Sequence, residues 1–98
     1  MFSDEDRMIL FNMLEQALRQ LNLAYQYKAK GERIRALFIC YHALCLINIA
    51  YIHPLIEKHK LYHIKAQLNN YAYIVASEIQ VLHELTAAYI YADKNNLA

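Results

Sequence analysis

Apolar positions along the first thirty residues recur at steps of three and four: Ile9, Leu10, Met13, Leu14, Ala17, Leu21, Ala24 and Tyr25. That period places them on one face of a helix, and it predicts a first helix over about 4–30. Ser3 or Asp4 stands where an N-cap belongs, the acidic Asp4, Glu5 and Asp6 suit the positive end of the helix dipole, and Lys28 and Lys30 suit the negative end. A second apolar run predicts a helix over about 32–52, closed by Pro54, which disfavours helical backbone before it. After a connector from His53 to Lys60, a stripe of Leu61, Ile64, Leu68, Tyr71, Val75, Ile79, Leu82, Leu85 and Tyr89 approaches a heptad. It predicts a long third helix over about 58–92, fraying around Asp93 to Asn96. No run alternates with period two, so no strand is expected.

Small residues fix how the first two helices meet. Ala17, Ala24, Gly31, Ala36 and Ala43 follow one another at intervals of seven, seven, five and seven. Seven residues are two turns, so each alanine pair lies on one helix face and lets the backbones approach closely. Gly31, the only glycine, falls between them, where a helix end needs a residue tolerant of positive φ. The chain therefore reads as one all-α domain over 1–98, a three-helix up-down-up antiparallel bundle with a long third helix. The third helix outruns the second, so Ile79 to Tyr91 overhangs, with Leu85 and Tyr89 as a second interaction surface; Met8, Ile9 and Phe11 overhang at the other end.

Composition sharpens this picture. With 98 residues, 58% of them hydrophobic and nine of them tyrosine, the chain carries more apolar material than a small monomer readily buries. An exposed apolar groove, a second copy or a second helical domain packed against it is expected. A net charge of +1 with mixed signs excludes the basic stripe of a nucleic-acid binder. Cys40 and Cys45 read as buried small hydrophobes of a reducing compartment. The acidic opening residues are unlike a secretory signal, which points to the cytoplasm. Ala36 to Ile52 is the one candidate membrane span, and it reads as a buried central helix because it is short and carries His42 and Asn48.

The stretch LNLAYQYKAKGERIRALFICYHAL resembles the first two helices of an MIT (microtubule-interacting and trafficking) domain. It matches that family's alanine and glycine spacing, with Lys65, Ala66 and Tyr71 continuing the pattern and Ala76 and Glu78 displaced by one from the family's Ala-Glu pair. A single tetratricopeptide repeat shares Tyr27, Gly31, Ala36 and Ala43, but no second repeat follows. The MIT resemblance implies a non-catalytic module that binds an amphipathic helix or short linear motif of an ESCRT-III, trafficking or autophagy partner in a groove beside the third helix. The divergent MIT-type domains that end autophagy-initiating kinases are the nearest subgroup in character. Recruitment to endosomal or autophagic membranes would then run through partners. The groove expected from this reading involves Phe38, Tyr41, Cys45 and Asn48 on the second helix and Lys65, Leu68, Asn69, Ala72, Tyr73 and Ala76 on the third. No carboxylate falls between Lys65 and Glu78, so an apolar ligand is expected in place of the usual basic one.

Two other constellations suggest different chemistry. Arg35 and His42 resemble the arginine–histidine pair of HEPN ribonucleases, which act as dimers; Ala36 and Leu37 stand where that motif has a polar residue. His59 and His63, spaced i, i+4 with His53 nearby, have metal-ligand spacing but no HExxH glutamate, and read as an exposed pair at a helix start. A lone glycine makes no phosphate loop. No cofactor, metal or catalytic residue is expected.

Overall fold

The structure, a computed structural model, describes the backbone of residues 3–96 and the side chains of 3–92. It is all-helical: α1 (Asp4–Ala29), α2 (Arg33–Tyr51), a short α3 (Pro54–Lys58) and α4 (Tyr62–Asn96). Ser3 caps α1, its Oγ accepting from the Asp6 N–H at 3.1 Å. At the far end Gly31 adopts φ +82°. Its N–H donates to the Lys28 carbonyl at 3.0 Å and the Glu32 N–H to that of Tyr27 at 2.9 Å. These two bonds make a Schellman end, and they turn the chain into α2 within three residues.

Pro54 ends α2 as the sequence predicts, but it also begins a helix. It sits at the first position of α3, where its missing N–H costs nothing. His53 caps that helix, with Nδ1 accepting from the Leu55 N–H at 3.2 Å. The expected connector is thus partly helical, and it buries Leu55 and Ile56. Its end repeats the Schellman pattern: the Lys60 N–H donates to Glu57 at 3.2 Å and the Leu61 N–H to Ile56 at 2.9 Å, with Lys60 at φ +52°. The third long helix starts at Tyr62 and runs to Asn96, each bound four residues later than expected.

α1 lies along α2, α2 along α4, and α3 against the start of α4. Ala17, Ala24, Ala36, Ala43 and Ala50 are all buried with Cys40 in the seams. Larger side chains (Leu10, Leu21, Ile47, Ile56, Leu68, Val75, Ile79 and Leu82) fill the rest of the core. Ile79 and Leu82 lie inside it, so the overhang of α4 begins later than the sequence suggests. Along the long axis the molecule measures 66 Å and across it 18 and 14 Å. Its radius of gyration, 17.0 Å, far exceeds the ~13 Å of a compact chain this long. An elongated molecule has extra surface, and much of it here is apolar.

Candidate functional site

α1 and α4 flank α2 and approach each other only in places. Near the end of α1 they are tied: Lys28 Nζ stands 2.8 Å from Glu78 Oε1, and the Glu78 side chain is only 12% exposed. That oxygen is sealed from water and makes no well-aligned hydrogen bond, so the contact is an ion pair held by charge. Around it burial governs ionisation. The Cys40 thiol is pushed up to about 11 by burial first and by the Glu78 carboxylate second, with Lys28 opposing. Burial likewise raises Tyr25, with Glu78 and Cys40 adding to it.

Near the start of α1 the two helices part and leave a groove of about 720 Å³. Leu10 and Leu14 of α1 form one wall and Leu61, Ile64 and Leu68 the other, with Ala50 of α2 among the lining residues between them. Met8 and Phe11 also line it, Phe11 with 62% of its surface exposed. Polar groups are few: Asp4 and Arg7 on α1, His63 and Gln67 on α4. The groove exists because α1 continues past the end of α2, where the residue facing the gap is an alanine. The His59 Nε2–H donates to the Asp6 carboxylate at 3.1 Å, fastening the first turn of α1 to the α3–α4 junction. His59 is therefore nearly buried, with a side chain 8% exposed, and is not half of an exposed histidine pair. His63 is exposed and lines the groove. No group of three metal-capable side chains occurs among the described residues.

Of the residues expected to line a groove, only Leu68 is in this one. Of the others, Tyr41 and Ala72 lie where α2 meets α4, whereas Phe38, Cys45 and Asn48 of α2 are exposed. Tyr41 Oη and His83 Nε2 are 2.8 Å apart. The Lys65 ammonium lies 4.9 Å from the centre of the Tyr51 ring and 3.4 Å from a Glu57 oxygen. Ala72 packs on the core, while Phe38, Asn69, Tyr73 and Ala76 face water. Cys45 is exposed, contrary to the expectation for both thiols; Cys40 is buried, and both are free. Leu85 and Tyr89 are exposed on the overhang as expected, and Tyr91 is exposed with them. Arg33 lies over the Tyr89 ring, 5.4 Å from its centre, beside a hollow formed with Gly31, Ile34, Thr86 and Ile90. Arg35 and His42 are both exposed, and Arg35 is engaged by the Tyr27 ring at 5.1 Å and by Glu32 at 3.6 Å.

Sequence reasoning missed Leu10, Leu14, Leu61 and Ile64 as a site because their spacing is that of core positions. The available signal was the apolar overhang at Met8 and Phe11. Compared with known proteins, the chain matches no family model, no curated protein and no solved structure.

Proposed function

We propose that this chain is a non-catalytic protein-interaction module, an up-down-up bundle of α1, α2 and α4 whose α1–α4 groove takes an amphipathic helix of a partner protein. The observation that carries the reading is the apolar groove with its thin polar rim. From Asp4 to Leu14 it runs roughly 15 Å along α1, and from Leu61 to Leu68 roughly 10 Å along α4, at 1.5 Å per residue. That length suits two to three turns of helix, presenting apolar anchors at i, i+3 or i+4, and i+7. The rim offers one carboxylate and one guanidinium, so affinity comes from apolar burial and depends weakly on salt.

The class of partner follows from the MIT resemblance: a helical tail of an ESCRT-III, trafficking or autophagy protein, met in the cytoplasm and drawing the module to endosomal or autophagic membranes. The buried alanines and the positive φ of Gly31 support the hairpin on which that resemblance rests. The test is capture from cytosol on immobilised parent and Phe11→Glu proteins, with retained proteins identified by mass. The parent should retain a protein with an amphipathic helical tail that the variant loses while keeping its circular dichroism. Equal retention by both contradicts the groove as the site.

A further inference from the structure

α2, expected to be a buried central helix, is covered on one side only. Ala36, Cys40, Ala43, Ile47 and Ala50 are buried, whereas Ile34, Phe38, Tyr41, Ile49 and Ile52 form an exposed ridge, Phe38 by 70% and Ile52 by 77%. The stretch around α2 is apolar and long enough to cross a membrane, yet only 28% of its most apolar window is buried. α2 also ends early. Counted from the turn at Gly31, its Ala50 stands about level with Leu10 of α1, and both line the groove. The start of α1, Asp4 to Ile9, therefore runs on for about 9 Å with no α2 beside it. From Ser3 to Ile9 every residue is exposed except Asp6, which is half-buried. No apolar side chain of this arm is buried, so packing does not hold it. Yet Asp4, Arg7 and Met8 are the outer part of the groove wall, with Phe11 the next residue along it.

What fastens the arm is polar, and Asp6 is at its centre. The Asp6 carboxylate accepts from His59 Nε2–H at 3.1 Å, across 53 residues of sequence. His59 itself is firmly placed. Its own N–H donates to Leu55, and the next two N–H groups, of Lys60 and Leu61, donate to Glu57 and Ile56. Leu55, Ile56 and Leu61 around it are buried. One partner of the contact thus stands on the core, and the other on an arm that the core does not reach. Neither residue lines the groove.

We propose that the Asp6–His59 contact is a latch that positions the outer wall of the α1–α4 groove, so that the groove's affinity for a helix depends on a pair the helix need not touch. This rests on the groove being the docking site. With the latch closed the wall stands ready, and binding carries no cost of ordering it. With the latch broken only the fraction of molecules whose arm is in place can bind, and affinity falls by that fraction. Asp6 also lies in the first turn of α1, where any carboxylate favours the helix dipole. Glu5 shares that second role but is exposed and takes no part in the contact, so it separates the two.

The experiment is amide hydrogen exchange of the whole chain, with titration of a peptide of about 18 residues bearing leucines at i, i+3 and i+7 among alanines and glutamines. In Asp6→Ala and His59→Ala the amides of Arg7 to Leu10 should exchange about tenfold faster, as expected on losing a hydrogen bond to a charged group, with those of Ala17 to Ala24 unchanged. The double variant should be no faster than the faster single one, since both remove one contact. Glu5→Ala, and Asp6→Asn, whose amide oxygen still accepts from His59, should stay within about threefold of the parent. Peptide affinity should follow the same order, and Phe11→Glu should abolish it. Equal exchange in Asp6→Ala and Glu5→Ala would overturn the proposal. So would faster exchange with unchanged affinity where Phe11→Glu does abolish binding, because the groove would then be the site without needing the latch. A peptide that fails to bind, or that Phe11→Glu leaves bound, would remove the groove as the docking site and overturn the proposal through its premise.

Discussion

Gly31 and Lys60 occupy equivalent positions, each the left-handed residue of a Schellman helix end. A β-carbon built on Gly31 meets nothing within 4 Å, so a side chain there is penalised by backbone conformation alone. Gly31→Val should therefore destabilise the domain by about 1–2 kcal/mol, read as a lower denaturant midpoint. Lys60 already bears that strain, and Lys60→Gly should raise stability by up to about 1 kcal/mol. An unchanged midpoint in both would mean that the turns are not held as described. The two thiols make a second contrast at this scale. Cys45 should react with a thiol reagent at once and Cys40 only on unfolding, because Cys40 is buried and its pKa is raised from 9.0 to about 11. The sign for stability follows. Between those values the unfolded chain releases the proton that the native chain retains, so stability falls as pH rises through that window. Denaturant midpoints measured across it in parent and Cys40→Ala should show a shallower fall in the variant.

At the scale of elements, α1 and α2 approach on alanines, and the Lys28–Glu78 ion pair ties α1 to α4. Ala24→Leu or Ala43→Leu should cost about 1–3 kcal/mol by overpacking, and a melt like the parent's would mean that the seam is loose. Lys28→Met leaves the Glu78 carboxylate sealed without a countercharge and should cost about 1–3 kcal/mol, much of it recovered by adding Glu78→Leu. The helices and the hairpin were legible in the sequence because period and small-residue spacing are local signals: the Ser3 cap, Gly31 and the alanine ladder were all placed from them. α3 was not, since Pro54 carries the same signature whether it ends one helix or begins the next. Lys60 gave no sign of a left-handed turn. The site was less legible still. Leu10, Leu14, Leu61 and Ile64 look like core residues in any helix. Whether α1 and α4 close over them depends on helix lengths and on the spread of three axes, which no residue spacing encodes.

For the whole molecule, length and thinness turn an apolar sequence into apolar surface. The groove between α1 and α4, the ridge on α2 and the overhang around Leu85 and Tyr89 are three consequences of one shape. A partner helix docked in the groove would be seen in amide correlation spectra of the labelled chain, recorded as the captured partner's helix is added. Shifts should cluster at Met8, Phe11, Leu14, Leu61, Ile64 and Gln67 and be little altered by added salt. Shifts centred on Tyr41, Ala72 and Tyr73 at the α2–α4 seam, or a steep loss of binding with salt, would contradict docking in the groove.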